Sequence, residues 1–209
     1  MMKSTMKTLI AAGLLSASVM AEAGLSANIG AMSDYYFRGT DQGVNGASMM
    51  GGLDYDAENG ISVGTWAASL NNGELEVDVY GGYAGEVEDF SYYVGYTGFL
   101  YTEDGATDFH EINFNLGYGP VSLEYTVGTE DTSGGTPEQD YTFLALTGEY
   151  EGAYLTYGSF GNDYDGDYWE IGYGATYEGL DMGVAYIDPD SQIGSEETIS
   201  FYISKSFDF

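Results

Sequence analysis

Every second residue from Ile112 to Tyr118 is apolar, with Glu111, Asn113, Asn115 and Gly117 between them. A period of two marks an extended strand with one apolar and one polar face, because successive side chains point to opposite sides. Gly119-Pro120 interrupts the run, since glycine tolerates positive φ and proline presets a turn, and the alternation resumes at Val121, Leu123, Tyr125 and Val127 against Ser122, Glu124, Thr126 and Gly128. The two runs predict an antiparallel hairpin. The same pattern recurs on both sides of it. Upstream it marks Leu25–Ala31, Ala47–Tyr55, Ile61–Thr65, Val77–Tyr83 and Phe90–Leu100. Downstream it marks a weaker strand around Leu144 and Leu146, then Leu155 with Tyr157, Trp169–Tyr177, Leu180–Tyr186 and Ile199–Phe209.

These runs amount to about twelve strands, and no helical periodicity competes with them. Short turns at Tyr118–Pro120, Glu151-Gly152 and Glu178-Gly179 alternate with longer acidic loops at Thr102–Asp108, Thr129–Asp140, Gly161–Asp167 and Asp188–Glu197; Asn71–Gly73 breaks the rule by being short on the long-loop side. The predicted fold class is all-β: an antiparallel transmembrane up-and-down β-barrel with apolar faces toward lipid, short periplasmic turns and longer acidic external loops. The opposite register would place Asp78, Glu111, Glu124, Glu170 and Asp181 in lipid. Arg or Lys at the bilayer midplane costs about 2–4 kcal/mol and a carboxylate somewhat less, so several such groups at once exclude that register. Aromatic residues fall near both strand ends, with Tyr118, Tyr150, Tyr177, Phe207 and Phe209 at the turn side and Phe109, Tyr141, Trp169 and Tyr186 at the loop side, as interfacial girdles would. Lys205 shares the lipid face with Ile203 and Phe207, where its stem can snorkel to the headgroups.

Residues 1–23 carry Lys3 and Lys7, an apolar run over Leu9–Met20 and the small-flanked triplet Ala21-Glu22-Ala23, the anatomy of a cleaved secretory signal peptide. Residues 24–209 are then a single barrel domain. With no cysteine, the exported chain has no disulfide framework. Asp and Glu number 34 against four Lys and Arg, two of which lie in the leader, leaving Arg38 and Lys205. This excludes nucleic-acid binding, which needs basic residues to neutralise phosphate. The same acidity would attract cations.

The segment Ser33-Asp34-Tyr35-Tyr36-Phe37-Arg38-Gly39, followed by Gly64-Thr65-Trp66, resembles the start of the proteobacterial TorF-type porin family, also called the Gcw_chp family. The resemblance implies a signal-bearing barrel in the outer membrane of a Gram-negative bacterium. Phe209, with Phe207, Ile203 and Phe201 at two-residue spacing, resembles the C-terminal signal read by the barrel-assembly machinery, although Lys205 interrupts it.

Asp54, Asp78, Tyr80, Tyr93, Glu111, Asn113, Asn115, Glu124, Glu170 and Asp181 are the candidate pore-lining residues, an acidic and hydroxyl-rich set of the kind that favours cations. Arg38 is the candidate constriction residue if the non-periodic segment Ser33–Gly46 folds inward, where it would pair with a luminal carboxylate. Asp163, Asp165 and Asp167 flank a glycine as calcium loops do, but the twelfth-position Glu of an EF-hand is missing, so the loop is only a weak metal candidate. No catalytic residue is expected: the sole histidine, His110, has no serine tied to it by spacing, and no cofactor is implied. The sequence therefore predicts a passive diffusion channel for small solutes, preferring cations. Its expected surroundings are outer-membrane lipid and lipopolysaccharide. The alternatives are a non-conducting barrel with a structural or adhesive role, and a secreted β-sandwich.

Overall fold

The computed structural model describes residues 23–43, 46–70, 73–102, 107–132 and 137–209. The leader expected over 1–23 falls outside them apart from Ala23, as do parts of four connecting segments. The described residues form fourteen strands: β1 (Gly24–Met32), β2 (Tyr36–Phe37), β3 (Thr40–Asp41), β4 (Ser48–Asp56), β5 (Ile61–Ser69), β6 (Leu75–Val87), β7 (Phe90–Tyr101), β8 (Phe109–Tyr118), β9 (Val121–Glu130), β10 (Gln139–Tyr150), β11 (Ala153–Asn162), β12 (Asp167–Tyr177), β13 (Leu180–Pro189) and β14 (Thr198–Asp208). Twelve of them close into one antiparallel barrel, in which β1 pairs with both β14 and β4; β2 and β3 form a separate two-stranded ribbon. Closure leaves no unpaired sheet edge. No helix among the described residues is long and apolar enough to cross a membrane.

Register follows the alternation. Between β8 and β9 the pairs Ile112↔Val127, Phe114↔Tyr125 and Leu116↔Leu123 lie on one face, and Glu111↔Gly128, Asn113↔Thr126 and Asn115↔Glu124 on the other. The apolar set is exposed and the polar set is buried or half-buried, so the barrel is apolar outside and polar inside. Leu53, Val63, Ile112, Phe114, Leu146, Ile171, Phe201 and many others form that outer belt. At the short-turn end Tyr118, Tyr150, Tyr177, Phe207 and Phe209 all face outward. At the long-loop end only Trp169 and Tyr186 do so, and the expected girdle is corrected there. Phe109 and Tyr141 point inward, with rings 6.3 Å apart, because each falls on the polar phase of its strand.

Short connections use the turn chemistry their geometry demands. Glu151-Gly152 and Glu178-Gly179 have positive φ at both residues, the left-handed pair of a tight hairpin whose twist matches the strands. Gly128 has a different reason to be glycine: a Cβ there would meet the Tyr141 ring at 2.2 Å, so the aromatic ring lies flat across a strand that has no side chain.

The weak periodicity of β10 also has a cause. Phe143 and Ala145 face inward while Leu144 and Leu146 face outward, so this strand is apolar on both sides. The inward pair belongs to a small core inside the barrel, formed with Tyr36, Tyr154, Tyr168, Ala185 and Ile187 and flanked by Phe160 and Ile193. Strands buried on both faces lose the alternation that marks one-sided burial.

In lipid, Phe114→Arg should destabilise the barrel by about 2–4 kcal/mol, whereas Ser122→Arg on the inner face should cost far less. Urea unfolding in phospholipid vesicles measures the difference, and equal costs would contradict the assigned faces.

Candidate functional site

The segment joining β1 to β4 turns into the barrel. Phe37 and Thr40 pair across Arg38-Gly39, whose φ values of 50° and 80° make a two-residue hairpin tip. Positive φ is uncommon for a residue bearing a side chain, so Arg38 is held there by its surroundings. Gly39 packs against Tyr168, where a Cβ would lie 2.8 Å from that side chain.

The segment crosses the interior. Its root is fixed on β14, where the Ser33 N–H donates to the Phe201 carbonyl (2.8 Å) and the Ser200 hydroxyl to the Asp34 carbonyl (2.8 Å). From there Tyr35 packs edge-on against Trp66 of β5 at 5.6 Å and donates its hydroxyl hydrogen to Glu76 Oε1 of β6 at 2.6 Å. Phe37 meets Phe99 of β7 at 5.6 Å. The 190–197 loop covers it from outside, with the Tyr36 hydroxyl donating to the Glu196 carbonyl and the Asp41 N–H to Ser195 Oγ, each at 3.0 Å.

Arg38 is the centre of this arrangement. Nη1 reaches Glu111 Oε1 at 2.5 Å and Nη2 reaches Glu124 Oε1 at 2.6 Å, with a longer contact to Thr126 Oγ1. Its guanidinium lies 4.3 Å from the Phe143 ring centroid and 4.6 Å from that of Phe37. Glu111 receives two further donors, the Tyr141 hydroxyl at 2.7 Å and Asn113 Nδ2 at 2.9 Å. Burial works against the charge on Arg38, but Glu111 and then Glu124 outweigh it and hold the group protonated above its ordinary range. The site is a charge-assisted network anchored on three elements, fully hydrogen-bonded around Glu111.

The ten candidate lining residues all lie on the inward face, but the structure separates them into two sets. Asp78, Tyr93, Glu111, Asn113 and Glu170 are sealed from solvent, Glu170 accepting from the Tyr154 hydroxyl at 2.5 Å. Asp54, Tyr80, Asn115, Glu124 and Asp181 remain half-exposed. Of these, Asp54 accepts from the Tyr80 hydroxyl (2.6 Å) and Asp181 from Thr176 (2.5 Å). Of the sealed set, Glu111 bonds directly to the inserted segment, Asn113 supports Glu111, and Tyr93 and Glu170 are covered by the wall itself, Tyr93 lying across Gly82 and Gly95. Glu76, Tyr35, Tyr141 and Tyr154, absent from the sequence-derived set, belong with the first group. The signal for Tyr141 and Tyr154 was their place on the polar phase of β10 and β11.

The acidic loop after β11 does not gather its carboxylates. Asp163 accepts from the Asp140 N–H, Asp165 from the Gly166 N–H and Gln192, and Asp167 lies on β12 opposite Ser159. The three carboxylates are thus turned to different neighbours, and among the described residues no group of three or more His, Asp or Glu is set to hold a metal. His110 is on the outer face, one ring nitrogen bonded to the Tyr96 hydroxyl (2.6 Å) and the other to Asp131 (3.3 Å).

A closed twelve-stranded antiparallel barrel, apolar outside and polar inside, with one segment folded across its lumen, defines the class. Within it, the chain belongs to the Gcw_chp family, described as a bacterial protein of unknown function, whose model matches residues 16–207. The fold is similar to that of the KdgM porin, at 8% identity and TM-score 0.58 over 88% of this chain and 99% of that one. It is equally similar to KdgM in complex with disordered oligogalacturonate, at 6% identity and TM-score 0.57 over 89% and 99%. A structure from work on in-meso crystallisation of membrane proteins matches at 15% identity and TM-score 0.59 over 89% and 84%. No curated protein matches the chain.

Arg38→Met should cost about 3–5 kcal/mol, because it leaves Glu111 buried without its counter-charge, and adding Glu111→Gln should recover part of that loss. Thermal unfolding of the two variants in detergent checks both signs.

Proposed function

We propose that this chain is an outer-membrane porin-like channel of the TorF type, through which small solutes diffuse passively with a preference for cations. The observation that carries the reading is the inverted barrel with an inner face rich in carboxylates and a single segment narrowing it. An apolar belt needs lipid to cover it, and a closed barrel is the strand architecture that can cross a bilayer with its backbone satisfied. The likeness in fold to KdgM supports a channel. It does not support the same solute, since an acidic oligosaccharide would be repelled by the carboxylates here.

In this reading the half-exposed Asp54 and Asp181 set the sign of the field along the open part of the lumen, and the Arg38 hairpin forms the constriction. Arg38 carries one positive charge against two neighbouring carboxylates, so the narrow zone stays net negative. No reaction is assigned to the barrel: both ring nitrogens of His110 are already bonded to Tyr96 and Asp131, leaving neither to activate a serine. The short-turn end faces the periplasm, where the exposed Phe209 is presented to the assembly machinery, and the acidic loops face outward among lipopolysaccharide. The seating of the hairpin favours one second reading, a barrel that does not conduct and serves a structural or adhesive role.

Reconstituted in a planar bilayer across a KCl gradient, the chain should give discrete conductance steps with a cation-selective reversal potential. Asp54→Asn with Asp181→Asn should weaken that selectivity, and replacing Arg38 and its neighbours by glycine should raise the step size. Anion selectivity would mean that Arg38 dominates the pathway. Verified insertion without conductance would leave the structural barrel in place of the channel.

A further inference from the structure

Glu76 and Asp78 stand two residues apart on the inward face of β6, about 6.6 Å from Cα to Cα at the usual strand rise. Both are enclosed, with exposures of 1% and 0%. Tyr35 satisfies Glu76 Oε1 and the Tyr101 hydroxyl, on the paired position of β7, interacts with the same carboxylate, but among the described residues Glu76 Oε2 and both carboxylate oxygens of Asp78 have no donor at hydrogen-bond distance. The surroundings explain why. Asp78 is flanked across the sheet by Trp66 and Phe99, and Tyr35 and Phe37 close over those two rings. The nearest fixed cation, Arg38, is already committed to Glu111 and Glu124.

Buried polar groups without partners cost several kcal/mol, and carboxylates more, so a pair of them in one enclosure calls for a positive charge. Three hard oxygens and two negative charges suit a divalent ion better than a monovalent one. We propose that Glu76 and Asp78 bind a single hard divalent cation, of which Ca²⁺ is the test case. Calcium accepts carboxylate and hydroxyl oxygens in irregular geometry, and the Tyr35 hydroxyl supplies a further oxygen beside Glu76. This is a two-carboxylate site completed by the inserted segment rather than a cluster of three acidic ligands. Because Tyr35 belongs to the segment and Glu76 to the wall, the ion ties the near end of the segment to the barrel, while Arg38 ties its tip. The site stands independently of conduction.

The test uses the full chain refolded in detergent and stripped of metal with a chelator. Added CaCl2 at millimolar concentration should raise the thermal unfolding midpoint by several degrees, saturating with one ion bound per chain by calorimetry. Asp78→Asn should abolish the shift and Glu76→Gln should abolish or greatly weaken it, while the double change Asp163→Asn with Asp165→Asn, which removes two acidic charges elsewhere, should leave it intact. A shift of the same size in Asp78→Asn would overturn the proposal, since the calcium effect would then be general charge screening. No shift in the wild type would also overturn it, and if stability then rises as pH falls, the pair holds a proton instead.

Discussion

The polarity of the barrel is inverted, and this constraint governs the rest of the molecule. With Leu, Ile, Val and aromatic side chains turned outward on every barrel strand, the opposite phase of each strand has to point inward. In a chain this acidic the inward phase collects carboxylates, and they must be solvated, hydrogen-bonded or neutralised. The chain uses all three solutions at different depths. Half-exposed Asp54 and Asp181 keep water, Glu170 takes a tyrosine hydroxyl, and Glu111 takes Arg38 together with Tyr141 and Asn113.

Inside this polar wall the segment between β1 and β4 creates a local reversal. Tyr36, Phe143, Tyr154, Tyr168 and Ile187 form an apolar cluster in the lumen, of the kind a soluble domain would have at its centre. The segment is thus held by two forces that fail under different conditions: apolar burial around Tyr36, and ion pairing around Arg38. Low-dielectric surroundings strengthen the ion pairs, since the rings of Phe37 and Phe143 exclude water from the guanidinium.

The alternation over Glu111–Tyr118 and Val121–Gly128 was legible because those stretches are one-sided: apolar residues met lipid-facing positions and polar residues met the lumen, and only at the loop end of β8 do Phe109 and His110 reverse the pattern. Strand number, register and the placement of Glu111 and Glu124 followed from it. The inserted ribbon was not legible as a ribbon, because two strands of two residues are too short to show any period. Its one local sign was Arg38-Gly39, a residue pair whose glycine suits a tight hairpin, and the pairing of Arg38 with a luminal carboxylate was an expectation conditional on the segment folding inward. The division of the candidate residues into sealed and half-exposed sets was hidden for the same reason. Burial of Asp78 and Asn113 depends on what crosses the lumen in front of them, and strand periodicity reports only which way they face. Tyr141 went astray because an aromatic residue near a strand end suits an interfacial girdle and a luminal hydrogen bond equally well.

The root of the inserted segment lies on the last strand. Ser33 and Asp34 bond to Phe201 and Ser200 of β14, directly beyond the seam where β1 meets β14. The strand that closes the barrel therefore supplies both the closing ladder and the anchor of an element 166 residues earlier in the chain. Until that strand docks, the segment has its other wall contacts but lacks the bonds that fix Ser33 and Asp34. Closure of the cylinder and seating of its internal element become one cooperative step, and an incompletely closed barrel would expose its apolar interior cluster as well as its open edge, a combined mark of immaturity available to quality control.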